Sequence, residues 1–300
     1  MSGTGQTLLF GLVGNPVAHS LSPFIMNRAF MQIGIDAIYI GVGVGPELLP
    51  ATMNGLSSLG AMGINITYPF KEEALYHLDI VASDADLVQA VNTLVFYDDE
   101  IHGYNTDAPG TATALEVFTD VPIEQSSVFI YGGGGSARAA AYGLLERGCQ
   151  RVTFAMRSHK KAEMVIERFN YAFPEQDVTY VVLDDDNHAT RRREAFKGAG
   201  VVINATPVGM AGVAEGSLIE DKSWIHRDQC FFDFVYHPRH TPFLETARAR
   251  GARTLGGLAL LVSQAAESFR LWTDQTFDVK EMAEAVDKFT QTGSSSEGVN

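Results

Sequence analysis

The chain has 300 residues, which suggests about two domains at roughly 150 residues each. Its 46% apolar and 19% charged residues exclude collagen-like, coiled-coil, disordered and small disulfide-framework proteins. A net charge of −14 argues against nucleic acid or an anionic membrane as partner, and any anionic ligand must meet a locally positive site.

In chain order, LLFGLVG (8–14) reads as the first strand. Ser22-Pro23 then looks like an N-cap followed by proline at the first helical position, and Gly34 ends that helix. A strand is expected at 38–44, a helix at 46–59 closed by Gly60, and a third strand at 62–67. A helix at 69–78 and a strand at 93–97 follow, with Asp98-Asp99 turning the chain back into 101–104. The glycines Gly41, Gly43 and Gly45 meet Pro46 and read as strand and turn. From Asp107 the pattern becomes stricter: a helix (107–118), the strand 126–131, a glycine-rich turn and a helix to Glu146, closed by Gly148. Strands at 151–156, 178–183, 200–205 and 229–235 alternate with helical segments, and two helices (257–272 and 279–289) close the chain. This alternation implies βαβ units with parallel sheets, hence two α/β domains joined near 106–110. The tail, 291–300, reads as disordered.

The longest apolar stretches, such as 257–262, fall far short of the ~20 residues of a membrane helix. The first ten residues carry no secretory pattern. Cys149 and Cys230 have no Cys or His at ligand spacing, so no metal is expected, and two buried thiols point to a reducing cytoplasm.

Gly132, Gly133, Gly134, Gly135, Ser136 and Ala137 follow an apolar strand, open a helix and fit G-x-G-x-x-A. Glycine permits the tight turn, and the helix start offers free N–H groups to a pyrophosphate. An NAD site expects an acid at the end of the next strand. Here Met156 is followed by Arg157 and Ser158, with Lys160 nearby, a set suited to a 2′-phosphate. NADP is therefore expected rather than NAD.

Lys71 follows Asn65-Ile66-Thr67-Tyr68-Pro69-Phe70 and is expected in the first turn of a helix. A cation there opposes the helix dipole, a setting that suits a proton-transferring group. A surface lysine paired with Glu72 or Glu73 is the alternative. Asp107 ends Asn105-Thr106-Asp107 at the domain junction, either as a helix N-cap or as the carboxylate of an acid–base dyad with Lys71.

The motifs above, in order along nearly the whole chain, resemble the shikimate dehydrogenase family. The matching segments are Gly14 to Pro23, Asn65 to Lys71, Ala90 to Thr93 and Asn105 to Asp107. Gly132 to Arg138, Asn204 to Met210, Asp233 to Pro242 and Gly257 to Trp272 continue the match. The resemblance implies NADP-linked interconversion of shikimate and 3-dehydroshikimate on the aromatic (chorismate) biosynthetic route. It makes Lys71 and Asp107 the catalytic pair and gives the substrate carboxylate to Ser20 and Ser22. Asn65, Thr67, Asn92, Asp107 and Gln264 would hold ring hydroxyls, with Tyr236 also near the substrate. Thr206, Val208, Gly209, Met210 and Gly257 would line the nicotinamide side of the cofactor. The N-terminal substrate-binding domain (1–107) would be completed by the C-terminal helices (257–290), and 108–256 would form a Rossmann-like dinucleotide-binding domain. The substrate is then a small polyhydroxylated carboxylic acid, and the enzyme a monomer or homodimer. The alternatives are a quinate or quinate/shikimate dehydrogenase using NAD, a divergent paralogue, or a non-catalytic nucleotide sensor. The chain departs from the family pattern at Met156, where asparagine is usual, at Gly133, where alanine is common, and at Leu260, where methionine is common.

Overall fold

The computed structural model of the chain describes residues 4–98 and 100–293. The chain divides into two compact units, one running through Thr106 and resuming at Leu261, the other Asp107–Leu260.

The first unit begins with β1 (Leu8–Gly14), α1 (Ser22–Ile33), β2 (Ala37–Gly43), α2 (Leu49–Ser58) and β3 (Ala61–Ile66). β4 (Ile80–Val81), α3 (Ser83–Val88) and the hairpin β5 (Thr93–Tyr97) and β6 (Glu100–Tyr104) follow. The strands lie in the order β2-β1-β3-β5-β6-β4. β1 runs parallel to β2 and β3, whereas β5 is antiparallel to both β3 and β6. Alternation along β1 assigns its faces. Phe10 stacks on Phe30 of α1 with ring centroids 4.9 Å apart, while Val13 on the other face joins Leu49, Met53 and Leu56 of α2.

Four local expectations are corrected in this unit. Ser22 is the first residue of α1, not its cap; Leu21 holds the cap position, and the Ser22 N–H donates to Ser20 Oγ at 3.2 Å. The helix expected at 46–59 is a 3-10 turn (Pro46–Leu48) followed by α2, consistent with the preference of Pro50 for a first turn. The helix expected at 69–78 is only a 3-10 turn, Glu73–His77. The Lys71 carbonyl accepts the Val91 N–H at 2.8 Å, so it is spent on a distant strand connection instead of on the residue four ahead. Lys71 therefore lies in an irregular turn, and the α-helical dipole invoked for it is absent. Asp99, one half of the expected hairpin turn, lies outside the described residues; Asp98 takes φ 47°.

The second unit comprises α4 (Asp107–Phe118), β7 (Ser127–Tyr131), α5 (Gly135–Glu146), β8 (Arg151–Met156), α6 (His159–Ala172) and β9 (Asp177–Val182). It continues with α7 (Ala189–Gly198), β10 (Val201–Asn204), β11 (Cys230–Asp233), α8 (Pro242–Ala249) and β12 (Arg253–Leu255). Its sheet is parallel throughout, in the order β12-β11-β10-β7-β8-β9. Read from β9, this is the doubly wound 3-2-1-4-5-6 arrangement, and the order reverses between β7 and β10. Both faces are covered, so after Ser127 β7 is apolar, with Val128, Phe129, Ile130 and Tyr131 all buried. Helix α5 meets α4 at Gly143, where an added Cβ would lie 1.9 Å from the Ala108 carbonyl oxygen.

The chain closes with α9 (Gly257–Thr273) and α10 (Val279–Gly293). The first three residues of the expected disordered tail thus belong to α10, and 294–300 lie outside the described residues. Trp272 of α9 rests on β1 and donates Nε1–H to the Leu94 carbonyl at 3.0 Å. Gly63 on β3 makes room for it, since a Cβ there would stand 2.2 Å from Nε1. Among the described residues no helix is long and apolar enough to cross a membrane.

Candidate active site

Within the first unit the ends of β3 and β5 and the polar stripe of α9 converge. Asn65 is almost fully buried, and its Oδ1 accepts the Tyr39 hydroxyl at 2.7 Å. Its Nδ2 faces the Asn92 carbonyl (2.9 Å), Thr93 Oγ1 (3.0 Å) and Ser268 Oγ (3.0 Å), more acceptors than it has hydrogens. The hydroxyls of Thr93, Thr106 and Ser268 close a triangle with edges of 3.0, 2.8 and 3.0 Å. Asn92 Oδ1 accepts the Thr106 backbone N–H at 2.7 Å, and Asn92 Nδ2 donates to Gln264 Oε1 at 3.3 Å. The network is built from short, buried polar groups, which rigidifies their placement. Burial raises the Tyr39 hydroxyl well above its ordinary range, so it remains a neutral donor to Asn65.

The other residues singled out in the sequence have separate settings. The Thr67 N–H donates to the Val13 carbonyl at 2.9 Å, and its methyl fills space that a side chain at Gly14 would take. Ser20 lines an open cavity of about 680 Å³ with Val17, Phe24, Asn27, Arg28 and Phe289; the other candidate residues do not line it. Asp107 opens α4 in the second unit, largely buried, and its carbonyl accepts the Thr111 hydroxyl at 2.8 Å. Tyr236 is half-buried in that unit, where desolvation raises its hydroxyl above the ordinary value.

In the second unit the glycine turn sits at the carboxyl end of β7, beside the strand-order reversal. Gly132 takes φ 112°, a conformation that favours glycine, and its N–H donates to the Ala155 carbonyl at 3.0 Å. Ala137 packs beneath it: a Cβ on Gly132 would come within 3.5 Å of the Ala137 Cβ. Helix α5 starts at Gly135 with no side-chain cap, leaving its first N–H groups available to a pyrophosphate. Arg157 is exposed beyond β8, while Ser158 Oγ caps α6 by accepting the Lys161 N–H at 3.4 Å. The neighbouring loop after β10 is shaped by Asn204, whose Oδ1 accepts the Thr206 N–H (3.0 Å) and hydroxyl (2.7 Å). Asn204 Nδ2 donates to the Val208 carbonyl at 2.9 Å, and Gly209 turns the loop with φ 96°. Gly257 lies close against the Phe234 carbonyl oxygen, 2.3 Å from where its Cβ would stand. These donors and glycine clearances fit a dinucleotide phosphate.

Residues 12–94 match the shikimate dehydrogenase substrate binding domain, and residues 257–286 match the shikimate 5′-dehydrogenase C-terminal domain. The NADP(+) shikimate dehydrogenase of Methanothermobacter thermautotrophicus is 38% identical over 284 residues, covering 93% of this chain and 96% of the relative. The chain belongs to the shikimate dehydrogenase family. Among solved structures, shikimate 5-dehydrogenase of Listeria monocytogenes in complex with shikimate and NAD superposes with a TM-score of 0.86. It is 30% identical, covering 95% of this chain and 98% of that one. The Thermus thermophilus enzyme in complex with NADP(H) and shikimate gives 0.80 at 32% identity, covering 94% and 99%.

Several members of this family site escape a reading of the sequence. Tyr39, Thr93, Thr106 and Ser268 hold Asn65 and Asn92, yet only Ser268 carries a local signal: it lies four residues after Gln264, on the same face of an otherwise apolar helix. Asp233 is a second such residue. It is buried at the end of β11, with Oδ1 accepting the Val235 N–H (3.0 Å) and Asn204 Nδ2 (2.9 Å), and Oδ2 accepting the Thr241 hydroxyl (2.5 Å). Burial pushes its carboxyl up to about 6 despite these bonds. The unfolded chain releases that proton near 3.8, so the folded state is favoured below this value and loses the advantage as pH rises to about 6. Denaturation across this window should show a loss of roughly 2–3 kcal/mol that disappears in Asp233→Asn, which keeps the shape. An identical pH slope in the variant would assign the titration to another group.

Proposed function

We propose that this chain catalyses the reversible, NADP-linked interconversion of shikimate and 3-dehydroshikimate in aromatic biosynthesis. The observation that carries the reading is likeness over 93% of the chain to an enzyme of that name. The bound dinucleotide supplies hydride transfer. Its phosphates would be held by the N–H groups at the start of α5, and a 2′-phosphate by Arg157 with Ser158, which compensates locally for the chain's net charge of −14.

The first unit supplies the substrate's polar frame. Ser20 and Ser22 take the carboxylate, and Thr67, Asn92 and Gln264 take ring hydroxyls, with Asn65 keeping the frame rigid through Tyr39 and Ser268. Tyr236 and the loop from Thr206 to Met210 complete the second unit's contribution. In the oxidative direction the Lys71 amine takes the proton of the reacting hydroxyl as its C–O bond becomes a carbonyl, and returns it in the reductive direction. Asp107 is the second member of the catalytic pair and positions Lys71. The enzyme acts as a monomer or homodimer in the cytoplasm, a setting that suits the two free, buried thiols, both pushed up to about 11 by burial.

Initial rates at the reduced-nicotinamide absorbance band, with shikimate and quinate each offered NADP and NAD, test the reading. Activity confined to shikimate with NADP is expected. A preference for quinate or NAD would transfer the chain to the quinate-oxidising branch, and silence in all four combinations would overturn the assignment.

A further inference from the structure

Gly133 is a glycine for a reason other than its backbone. Unlike Gly132, it does not occupy the left-handed region. A Cβ at this position would instead strike one side chain, Met156, at 2.0 Å from Cε, 2.6 Å from Sδ and 3.1 Å from Cγ. The backbone around Met156 is pinned: Ala155 accepts the Gly132 N–H at 3.0 Å and Met156 accepts the Leu183 N–H at 2.9 Å. Only the thioether can give way, by rotating about its own torsions.

Met156 is the last residue of β8, next to exposed Arg157. In a doubly wound dinucleotide fold this strand end is where an acid accepts the ribose 2′-hydroxyl. A thioether offers no strong acceptor there and no charge to repel a phosphate. The two departures noted at Gly133 and Met156 are therefore in contact, one making room for the other.

We propose that Met156 is a specificity-determining residue for the cofactor and that Gly133 exists to seat it. Folded over the turn, the thioether leaves the nucleotide's 2′ position to be read by Arg157 with Ser158. A methyl group at Gly133 drives the thioether off the turn and into the crevice at the carboxyl ends of β7 and β8. The inference rests on the reading above that the dinucleotide lies on the Gly132–Gly135 turn.

A double-mutant cycle tests it, with NADPH dissociation constants from nucleotide fluorescence, steady-state constants for NADP and NAD, and thermal midpoints for each variant. Gly133→Ala should weaken NADPH about tenfold with the thermal midpoint nearly unchanged, yet have less than about a twofold effect in a Met156→Ala background. Met156→Asp should lower the preference for NADP over NAD at least about tenfold by restoring an acceptor for the 2′-hydroxyl. Equal losses from Gly133→Ala in both backgrounds would overturn the inference, as would an unchanged preference in a folded Met156→Asp. Arg157→Ala separates the two levels of argument. If it weakens NADPH while the cycle is additive, only the Met156 role fails; if it and the cycle all leave NADPH binding untouched, the turn does not hold the dinucleotide.

Discussion

Lys71→Ala should lower kcat by about 10²–10⁴-fold while leaving the NADPH dissociation constant unchanged. The separation is expected because the two functions reside in different units: Lys71 lies in the first, and the glycine turn in the second. The variant also isolates the side chain. Its backbone carbonyl holds the Val91 N–H, and alanine keeps that bond. A far-ultraviolet spectrum and thermal midpoint matching the parent would accompany the lost turnover. A kcat within tenfold of the parent would remove Lys71 from the proton transfer and favour an ordinary surface lysine. Asp107→Asn should cost less than the lysine, because it removes the positioning carboxylate but not the proton carrier itself.

Gly143→Ala should be the most damaging single methyl in the second unit. The added carbon would lie 1.9 Å from the Ala108 carbonyl oxygen and 2.6 Å from the Ala108 carbonyl carbon, both backbone atoms that no rotamer change can move aside. α4 and α5 must separate, at a cost of about 3 kcal/mol or more, or roughly 10 °C in thermal midpoint. Ala108 directly follows Asp107, and α5 carries the glycine turn at its start, so NADPH affinity and turnover should fall with stability. Gly55→Ala is the matching control, since nothing lies within 4 Å of its Cβ and it is helical. That change should gain up to about 1 kcal/mol. A Gly143→Ala protein as stable as its parent would mean that the two helices can slide apart freely.

The strand–turn–helix that cradles a dinucleotide was readable because all its determinants are local. An apolar run, four glycines and an uncapped helix start lie within about twenty residues of one another. Most of the parallel second sheet was readable for the same reason, as most of its strands are apolar runs set off by helical segments. Lys71 shows where this stops. Pro69 followed by apolar residues at helical spacing predicts a helix, but Val91, twenty positions on, captures the carbonyl that the helix needs. Ser22 misled through the same kind of competition, because Ser20 reaches its N–H first. The shell around Asn65 was largely out of reach. Tyr39, Thr93 and Ser268 come from a strand edge, a hairpin and the penultimate helix, and only the folded chain places them within 3.0 Å of one amide. Short β4 and β12 were missed because two or three residues carry no periodicity.

The lodging of Trp272 against Leu94, 178 residues earlier, has a consequence for how the protein is made. A ribosome delivers the chain from its N-terminus, and the residues that form the second unit are all synthesised once Leu260 has emerged. At that moment all six strands of the first sheet have been made, but the indole that packs against Gly63 and the Ser268 hydroxyl that meets Asn65 have not. The first-made half of the molecule is therefore the last to be finished. Its apolar face, with Phe10 and Phe30 at the centre, is open to water or chaperones until the final helices arrive. A nascent chain stalled near Leu260 would resist protease across its later half and yield to it in its earlier one.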